Sequence, residues 1–411
     1  MKKTFLLSCL MLAAMPVMAA YTGHVYVDKN KNGVFDQSEK PLAGIKVSDG
    51  LNVVETAADG SFTLPGHERE RFIFITTPSG YKTFNRHYHK IEKKQSGYDF
   101  GLIPYSGRIR KNGSHRYIHI ADTEIFNTEN HADWVNNVRD YARNEQAAFI
   151  IHTGDICYEK GLKAHIKLMN TENMDCPVFY CIGNHDLVKG KYGEELFESI
   201  YGPVYYSFDA GNVHYVVTPM PGGDHAPGYT SDDVCRWLKN DLAHIRPGTP
   251  VVVFNHDLLT YEDTFIFKSK NAGSINLNEY NLKAWVYGHW HINYMKKQGD
   301  VYSVCTSSLD KGGIDHSTTA FRVMHVDSKG DFTSELRYTY LDKNICIASP
   351  AGVMASGVLP VAVNVYSSVS PVREVLYTCL ADGKPVLKNK RLLQSTDWSW
   401  NGELPLSHKY V

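Results

Sequence analysis

The chain has almost no net charge: 43 lysines and arginines stand against 44 aspartates and glutamates, a formal −1 at pH 7. That balance supplies no general attraction for nucleic acid or anionic lipid, so a polyanion-binding role is unsupported. The cysteines show neither zinc-knuckle nor CxxC redox spacing. Those beyond the N-terminal segment, Cys157, Cys176, Cys181, Cys235, Cys305, Cys346 and Cys379, read mostly as small buried hydrophobes, although export would allow a disulfide. Long apolar runs are missing too, and the stretch from Phe5 to Val17 is too short to span a bilayer, so no transmembrane segment is expected. Preceded by Lys2 and Lys3 and followed by small residues at Val17-Met18-Ala19, it has the form of a secretory signal peptide occupying residues 1–20. Leu6-Leu7-Ser8-Cys9 resembles a lipoprotein processing site, but few apolar residues precede Cys9. An exported, periplasmic or extracellular protein without a lipid anchor is therefore the expectation. There is no internal repeat and no low-complexity tract.

A chain of 411 residues is too long for one ordinary core, so two or three domains are expected. Residues 21–105 read as short β segments cut by turns (GHVYVD, GIKVSDG, NVVETAADGSFTL, RFIFITTP), which suits a small N-terminal β-sandwich. Asp59-Gly60, between two alternating stretches, predicts a hairpin. Gly101 to Asn112, with Pro104 and Gly107, reads as a linker. Residues 113–335 alternate strands with helical patterns. Trp134, Val135, Val138, Tyr141 and Ala142 recur at helical spacing within Asn130 to Glu145, and Val234, Trp237, Leu238 and Leu242 do so within Ser231 to Ile245. A hairpin is expected between Tyr205 and Thr218. These features predict an α/β fold, a central layered domain in which a β-sandwich is flanked by helices. Residues 336–411 alternate like half-buried strands and predict a C-terminal β domain, whose abrupt stop at Val411 leaves open that it is incomplete.

Five short motifs lie in order along the central stretch: Asp122-Thr123-Glu124, Gly154-Asp155, Gly183-Asn184-His185-Asp186, Asn255-His256 and Gly288-His289-Trp290-His291. Each sits where an apolar, β-favouring run stops. Ligands at the carboxyl ends of neighbouring strands converge on one crevice, because loops gather side chains at that edge of an open α/β sheet. A lone histidine or a lone Gly-Asp would mean little, whereas five such motifs in order leave little room for coincidence. Asp, Glu, Asn and His form the mixed oxygen and nitrogen set that accepts Mn²⁺, iron or Zn²⁺. Two ions held close together need a shared anionic bridge, and Asp155 is the candidate. Such a pair binds phosphoryl oxygens and lowers the pKa of a bound water. Trp290 reads as packing.

These ordered motifs resemble those of the calcineurin-like metallophosphoesterases over roughly Arg116 to Tyr338, and the flanking β modules resemble exported bacterial members of that superfamily. The resemblance implies a first metal on Asp122, Asp155 and His291 and a second on Asp155, Asn184, His256 and His289. It further implies hydrolysis of a phosphomonoester or phosphodiester in a small phosphorylated substrate by a metal-bound hydroxide. His185 would act as general acid and Asp186 would orient its imidazole. Glu124 stands where the family commonly has histidine. It would either ligate, making the first site harder and more anionic and so favouring Mn²⁺ or iron, or hydrogen-bond a metal-bound water. A nucleotide pyrophosphatase would use the same ligands. A decayed scaffold binding glycan or protein is a further alternative, which retention of His185 and the other motif residues disfavours.

Two loops, Pro221 to Tyr229 and Gly312 to His316, are placed to overhang the metals, which makes His225, Tyr229 and His316 candidate substrate residues against the plainer reading of ordinary turns. Separately, residues 28–39 match the twelve-position calcium loop. The candidate ligands there are Asp28, Asn30, Asn32, Val34 through its carbonyl, Asp36 and Glu39, with Gly33 at the sharp turn. The strand-like GHVYV before it does not suit an EF-hand, so the expectation is a structural Ca²⁺ that stiffens the N-terminal module.

Overall fold

The computed structural model describes residues 20–406 apart from 96, 341–342, 351, 353–356, 368–371 and 397. The expected signal peptide through residue 19, with Cys9, lies outside the described residues.

Near the N-terminus two small sheets face each other. One runs Lys40–Pro41, Tyr21–Val27, Phe100–Pro104, Tyr81–Thr83, with Ser61–Leu64 also on Tyr21–Val27; the other runs Val53–Glu55, Lys46–Ser48, Phe72–Ile75, Tyr88–Lys90. Alternate residues point inward, so Tyr21, Val25, Val47, Phe62, Leu64, Ile73 and Ile75 share one buried core. Each such side chain contributes about 1.5–3 kcal/mol on burial. Asp59-Gly60 does close a tight turn, Gly60 N donating to Ala57 O and Ala57 N to Ser61 O, but the flanking strands do not continue as a hairpin: Val53–Glu55 pairs with Lys46–Ser48, whereas Ser61–Leu64 pairs with Tyr21–Val27 in the opposite sheet. The chain crosses between the two sheets there, so the alternation on either side of the turn serves one core from two directions. The expected linker also begins later than Gly101, because Phe100–Pro104 is a strand of the first sheet and Leu102 is fully buried.

The central region has four layers. A five-stranded sheet runs Val178–Tyr180, Phe149–His152, His115–Ile120, Ala320–Val326, Phe332–Tyr338. A six-stranded sheet runs Tyr206–Ala210, Val213–Val217, Val251–Phe254, Leu282–Tyr287, Val301–Cys305, Tyr294–Gln298. Tyr117, Phe149 and Ile151 of the first pack against Tyr215, Val253 and Phe254 of the second. Ile118, Ile120 and Ile150 point the other way, onto the helix Ala132–Asn144 through Trp134, Val135 and Val138. Strands buried on both faces need continuous apolar runs, and that is why these segments read as such in the sequence. The helix Ser231–Ala243 covers the second sheet with Cys235, Trp237 and Leu238, and a capping box between Thr230 and Asp233 fixes its start. The Tyr206–Ala210 and Val213–Val217 strands form the expected hairpin.

Phe332–Tyr338 pairs along its whole length with Ala320–Val326, so the central sheet runs to Tyr338 rather than ending at 335. Leu336 and Tyr338 are buried and hold that last turn of strand in place. Beyond it, Lys343–Ser349, Gly357–Ser367, Ser399–Leu406 and Leu393–Gln394 form a four-stranded sheet, and Leu376–Ala381 pairs with Lys384–Arg391. No helix among the described residues is long and apolar enough to cross a membrane.

Candidate metal centre

All five motifs follow strands of the two facing sheets, and their side chains meet at one edge of the sandwich. Asp122 follows His115–Ile120, Asp155 follows Phe149–His152, Asn184 follows Val178–Tyr180, His256 follows Val251–Phe254, and His289 and His291 follow Leu282–Tyr287. One donor atom each from Asp155, His256 and His289 lie within 4.8 Å of one another. His256 Nε2 is 3.1 Å from both Asp155 Oδ2 and Asn184 Oδ1 and 4.0 Å from Asp122 Oδ1. His291 Nε2 is 3.4 Å from Asp122 Oδ1. The seven candidate ligands thus stand in one crevice, with Glu124 at its rim.

Close approach of backbone makes this possible. A Cβ on Gly183 would lie 2.2 Å from Asp155 Oδ1, and one on Gly154, at φ +100°, would lie 2.6 Å from His256 Nδ1. Asp122, Glu124, Asp155, His289 and His291 themselves have φ between 44° and 64°, a left-handed backbone that L residues seldom adopt. Such conformations persist where surrounding structure forces them, and they concentrate at functional sites.

The donor set fits a divalent cation. His256 Nδ1 donates to the Thr153 carbonyl at 2.7 Å, which leaves Nε2 as the face turned toward Asp155 and Asn184. Burial opposes the charge on His256, yet Asp155 and Asp122 outweigh it and push its pKa up to about 9. The field of the carboxylates that raises this imidazole is one that would also attract a cation. Asp155 is held below its ordinary range: burial works against this, but the His256 charge and hydrogen bond and the His185 amide at 3.0 Å prevail. Burial pushes Asp122 upward, against His291 and His256. Burial lowers His289, and a hydrogen bond to Asp122 raises His291.

One expected contact is different. Asp186 does not orient His185; it is fully buried and accepts from the amides of Cys157 (2.8 Å) and Gly183 (2.9 Å), tying two ligand loops together. Burial and the neighbouring Asp155 push it up to about 7. The partner of the imidazole is Asp224, whose Oδ2 is 2.8 Å from His185 Nδ1. Burial lowers the His185 pKa, but the Asp224 hydrogen bond and the charge of Asp155 leave it raised overall.

Both expected loops reach the crevice through residues other than those singled out. Asp224 donates its amide to Asn184 O, and Ile314 donates its amide to His291 O at 2.9 Å; Lys311, one residue before the second loop, brings its Nζ to 2.5 Å from Glu124 Oε2. Tyr229 is a core residue: it packs with Ile156, Leu162 and Phe197, and its hydroxyl donates to Met220 O. A ring with one polar tip is satisfied in a core by a single carbonyl, and nothing in the sequence distinguishes that from a substrate contact. His225 is exposed beside Asp224 and lines a cleft with Tyr158 and Leu187, and His316 is exposed with φ +62°. Glu124 divides its carboxylate, Oε2 on Lys311 and Oε1 3.5 Å from His291 Nε2. Trp290 donates to Asp257 Oδ1 at 3.0 Å and stacks on Tyr261. Sequence reading missed Asp224, Lys311 and Tyr158, whose ring lies 5.3 Å from the His185 ring. Asp224 stands inside the first loop, Lys311 one residue before the second, and Tyr158 three residues past Asp155.

Residues 115–293 match the profile described as calcineurin-like phosphoesterase, and residues 29–104 match that described as its N-terminal domain. The chain belongs to the calcineurin-like phosphoesterases. Among the curated relatives of this calcineurin-like phosphoesterase, purple acid phosphatase 13 of Arabidopsis thaliana is 26% identical over 215 residues, 49% of this chain and 36% of that protein. The chain thus spans about a third of the length of that relative. Solved structures similar to it include an archaeal phosphodiesterase (TM-score 0.28, 13% identity, 54% of this chain and 99% of that one). Another is the phosphopantetheinyl hydrolase of Mycobacterium tuberculosis (TM-score 0.32, 13% identity, 48% and 91%).

Proposed function

We propose that this calcineurin-like phosphoesterase is an exported hydrolase that cleaves a phosphomonoester or phosphodiester in a small substrate at a dinuclear centre. The supporting observation is the convergence of Asp155, His256 and His289 within 4.8 Å, with Asn184, Asp122 and His291 beside them. Asp122, Asp155 and His291 would hold one ion, and Asp155, Asn184, His256 and His289 the other. When bound, two such cations polarise the phosphoryl group and make a nucleophile available near neutral pH. The residues around them do the rest. The crevice orients the ester, and His185, held by Asp224, carries a proton toward the departing oxygen, because an alkoxide is a poor leaving group. Asp186 keeps the loops bearing Asp155 and Asn184 in register through its two amide bonds.

The N-terminal loop supports a structural Ca²⁺. Asp28 is buried, Asn30, Asn32, Asp36 and Glu39 cluster with it, and the Asp28 carboxylate accepts from the Asn32 and Gly33 amides. Export rests on the form of residues 1–20.

The test is a rate comparison of p-nitrophenyl phosphate with bis-p-nitrophenyl phosphate in Mn²⁺, Fe²⁺ and Zn²⁺. The wild type is expected to hydrolyse at least one ester, to lose that activity on chelation and to regain it with metal. Asp155→Ala is expected to lose it by about 100-fold or more, since disturbing even the surroundings of a ligand costs about 10–100-fold. Wild-type protein inert with all three metals would refute the proposal.

A further inference from the structure

Where Tyr158 and Asp224 meet His185, the surface opens into a cleft of about 400 Å³. Its floor is Leu187 and Val188, both buried, and its walls include Phe126 and Tyr158. These two rings are 54% and 43% exposed, and they lie nearly parallel, 14° apart in plane with centroids at 6.2 Å. Large apolar rings left in water, paired and close to a reactive histidine, need a reason that ordinary packing does not supply.

Their position is set by the ligand-bearing turns. Phe126 is four residues past Asp122 and two past Glu124, with Ile125 buried between as its anchor. Tyr158 opens the helix Tyr158–Leu168 directly after Cys157, and both have positive φ, 76° at Cys157 and 53° at Tyr158. That turn brings the Tyr158 hydroxyl to 3.5 Å from His185 Nδ1. On its far side Phe126 meets the Lys311 ammonium, 5.8 Å above its ring. The rim carries Lys160 and Lys189 against Glu159 and Asp224, with His225 beside them, so its permanently charged side chains balance.

We infer that this cleft holds the leaving group of the substrate and that Phe126 and Tyr158 select one with a planar aromatic ring, either a nucleoside or an aryl alcohol. The inference rests on the phosphoesterase reading above, because the side of the crevice that carries the proton-donating histidine is the side on which the alcohol departs. A planar ring stacks on such side chains regardless of its hydrogen-bonding pattern, which suits a cleft whose polar groups are all at the rim.

The test uses the full-length protein with Mn²⁺ and three esters of primary alcohols: adenosine 5′-monophosphate, benzyl phosphate and glycerol 1-phosphate, each also as its methyl diester. Ring-bearing esters are expected to exceed the glycerol ester in kcat/KM by about fivefold or more, the lower end of what one stacking contact supplies. Phe126→Ala is expected to shrink that ratio to about twofold or less, and Phe126→Tyr to retain it. The stronger of the two ring-bearing esters tells which source of the ring the cleft favours. Active protein that treats ring-bearing and ringless esters alike, or a ratio untouched by Phe126→Ala, overturns this inference alone. Protein inert toward every ester overturns the phosphoesterase reading and this inference with it.

Discussion

Two buried clusters in this molecule are made of the same side chains and have opposite character. In the crevice, His256 faces Asp155 and Asp122; in the core, His214 lies between Asp209 and Asp241, with Nδ1 2.7 Å from Asp209 Oδ1 and Nε2 2.8 Å from Asp241 Oδ2. The core cluster is closed. Each imidazole nitrogen is occupied, and Asp241 also accepts from Ser207, so hairpin and helix are fastened together and no donor atom is left over. In the crevice one imidazole nitrogen faces several donors at once, His256 Nε2 lying 3.1 Å from both Asp155 Oδ2 and Asn184 Oδ1 with a His289 nitrogen close by, and the imidazole is anchored from behind by a carbonyl. What separates a ligand cage from a structural clamp is therefore direction, not composition.

That contrast can be broken at either end. The largest effect is expected from Gly183→Ala, whose methyl group would collide with Asp155 Oδ1: esterase activity should fall by about 10–100-fold, read as kcat under saturating Mn²⁺. Unchanged activity would mean that the cage tolerates a displaced Asp155 and that its geometry is not what matters. Next, His214→Ala should cost about 3 kcal/mol in denaturant unfolding, because it leaves the buried Asp241 facing Asp209 without a proton between them.

The pH dependence sharpens the same point. Burial opposes the charge on His214, but Asp241 and Asp209 raise its pKa above the ordinary 6.5, while His214 holds both carboxyls below 3.8 against burial. A raised histidine stabilises fully below pH 6.5 and loses that contribution as pH rises through its folded value; a lowered carboxyl stabilises fully above pH 3.8 and loses it as pH falls. The stability gap between wild type and His214→Ala should accordingly be widest between pH 3.8 and 6.5 and narrow on both sides. The smallest effect concerns the loop of residues 28–39. Millimolar Ca²⁺ should raise the first thermal transition by about 2–4 °C, and Asp28→Ala should abolish the shift.

The crevice was legible in the sequence because each ligand stands at the end of a strand that must be apolar on both faces, so pattern and chemistry coincide at the same residue. The core cluster was not. Asp209 and His214 fall on two strands of a hairpin and Asp241 on a helix, and no spacing links them. The layered fold and both long helices could be read from periodicity. The short helix Glu195–Tyr201 and the crossing at Asp59-Gly60 could not, since neither changes the local alternation. The two overhanging loops were found, but which side chain each lends to the crevice depends on how the loop folds back. In the first loop Asp224 meets His185 while His225 lines the cleft beside it, and in the second the Ile314 amide, not His316, meets the histidine motif.

Lys311 also alters the meaning of Glu124. With the ammonium 2.5 Å from one carboxylate oxygen, acid and base sum to zero, the same total that a neutral imidazole would present at that place. The ions in the crevice would then experience little additional negative potential from Glu124, and charge alone gives no reason to prefer manganese or iron to zinc. An apparent departure from the common first motif is thus compensated by a residue 187 positions further along the chain.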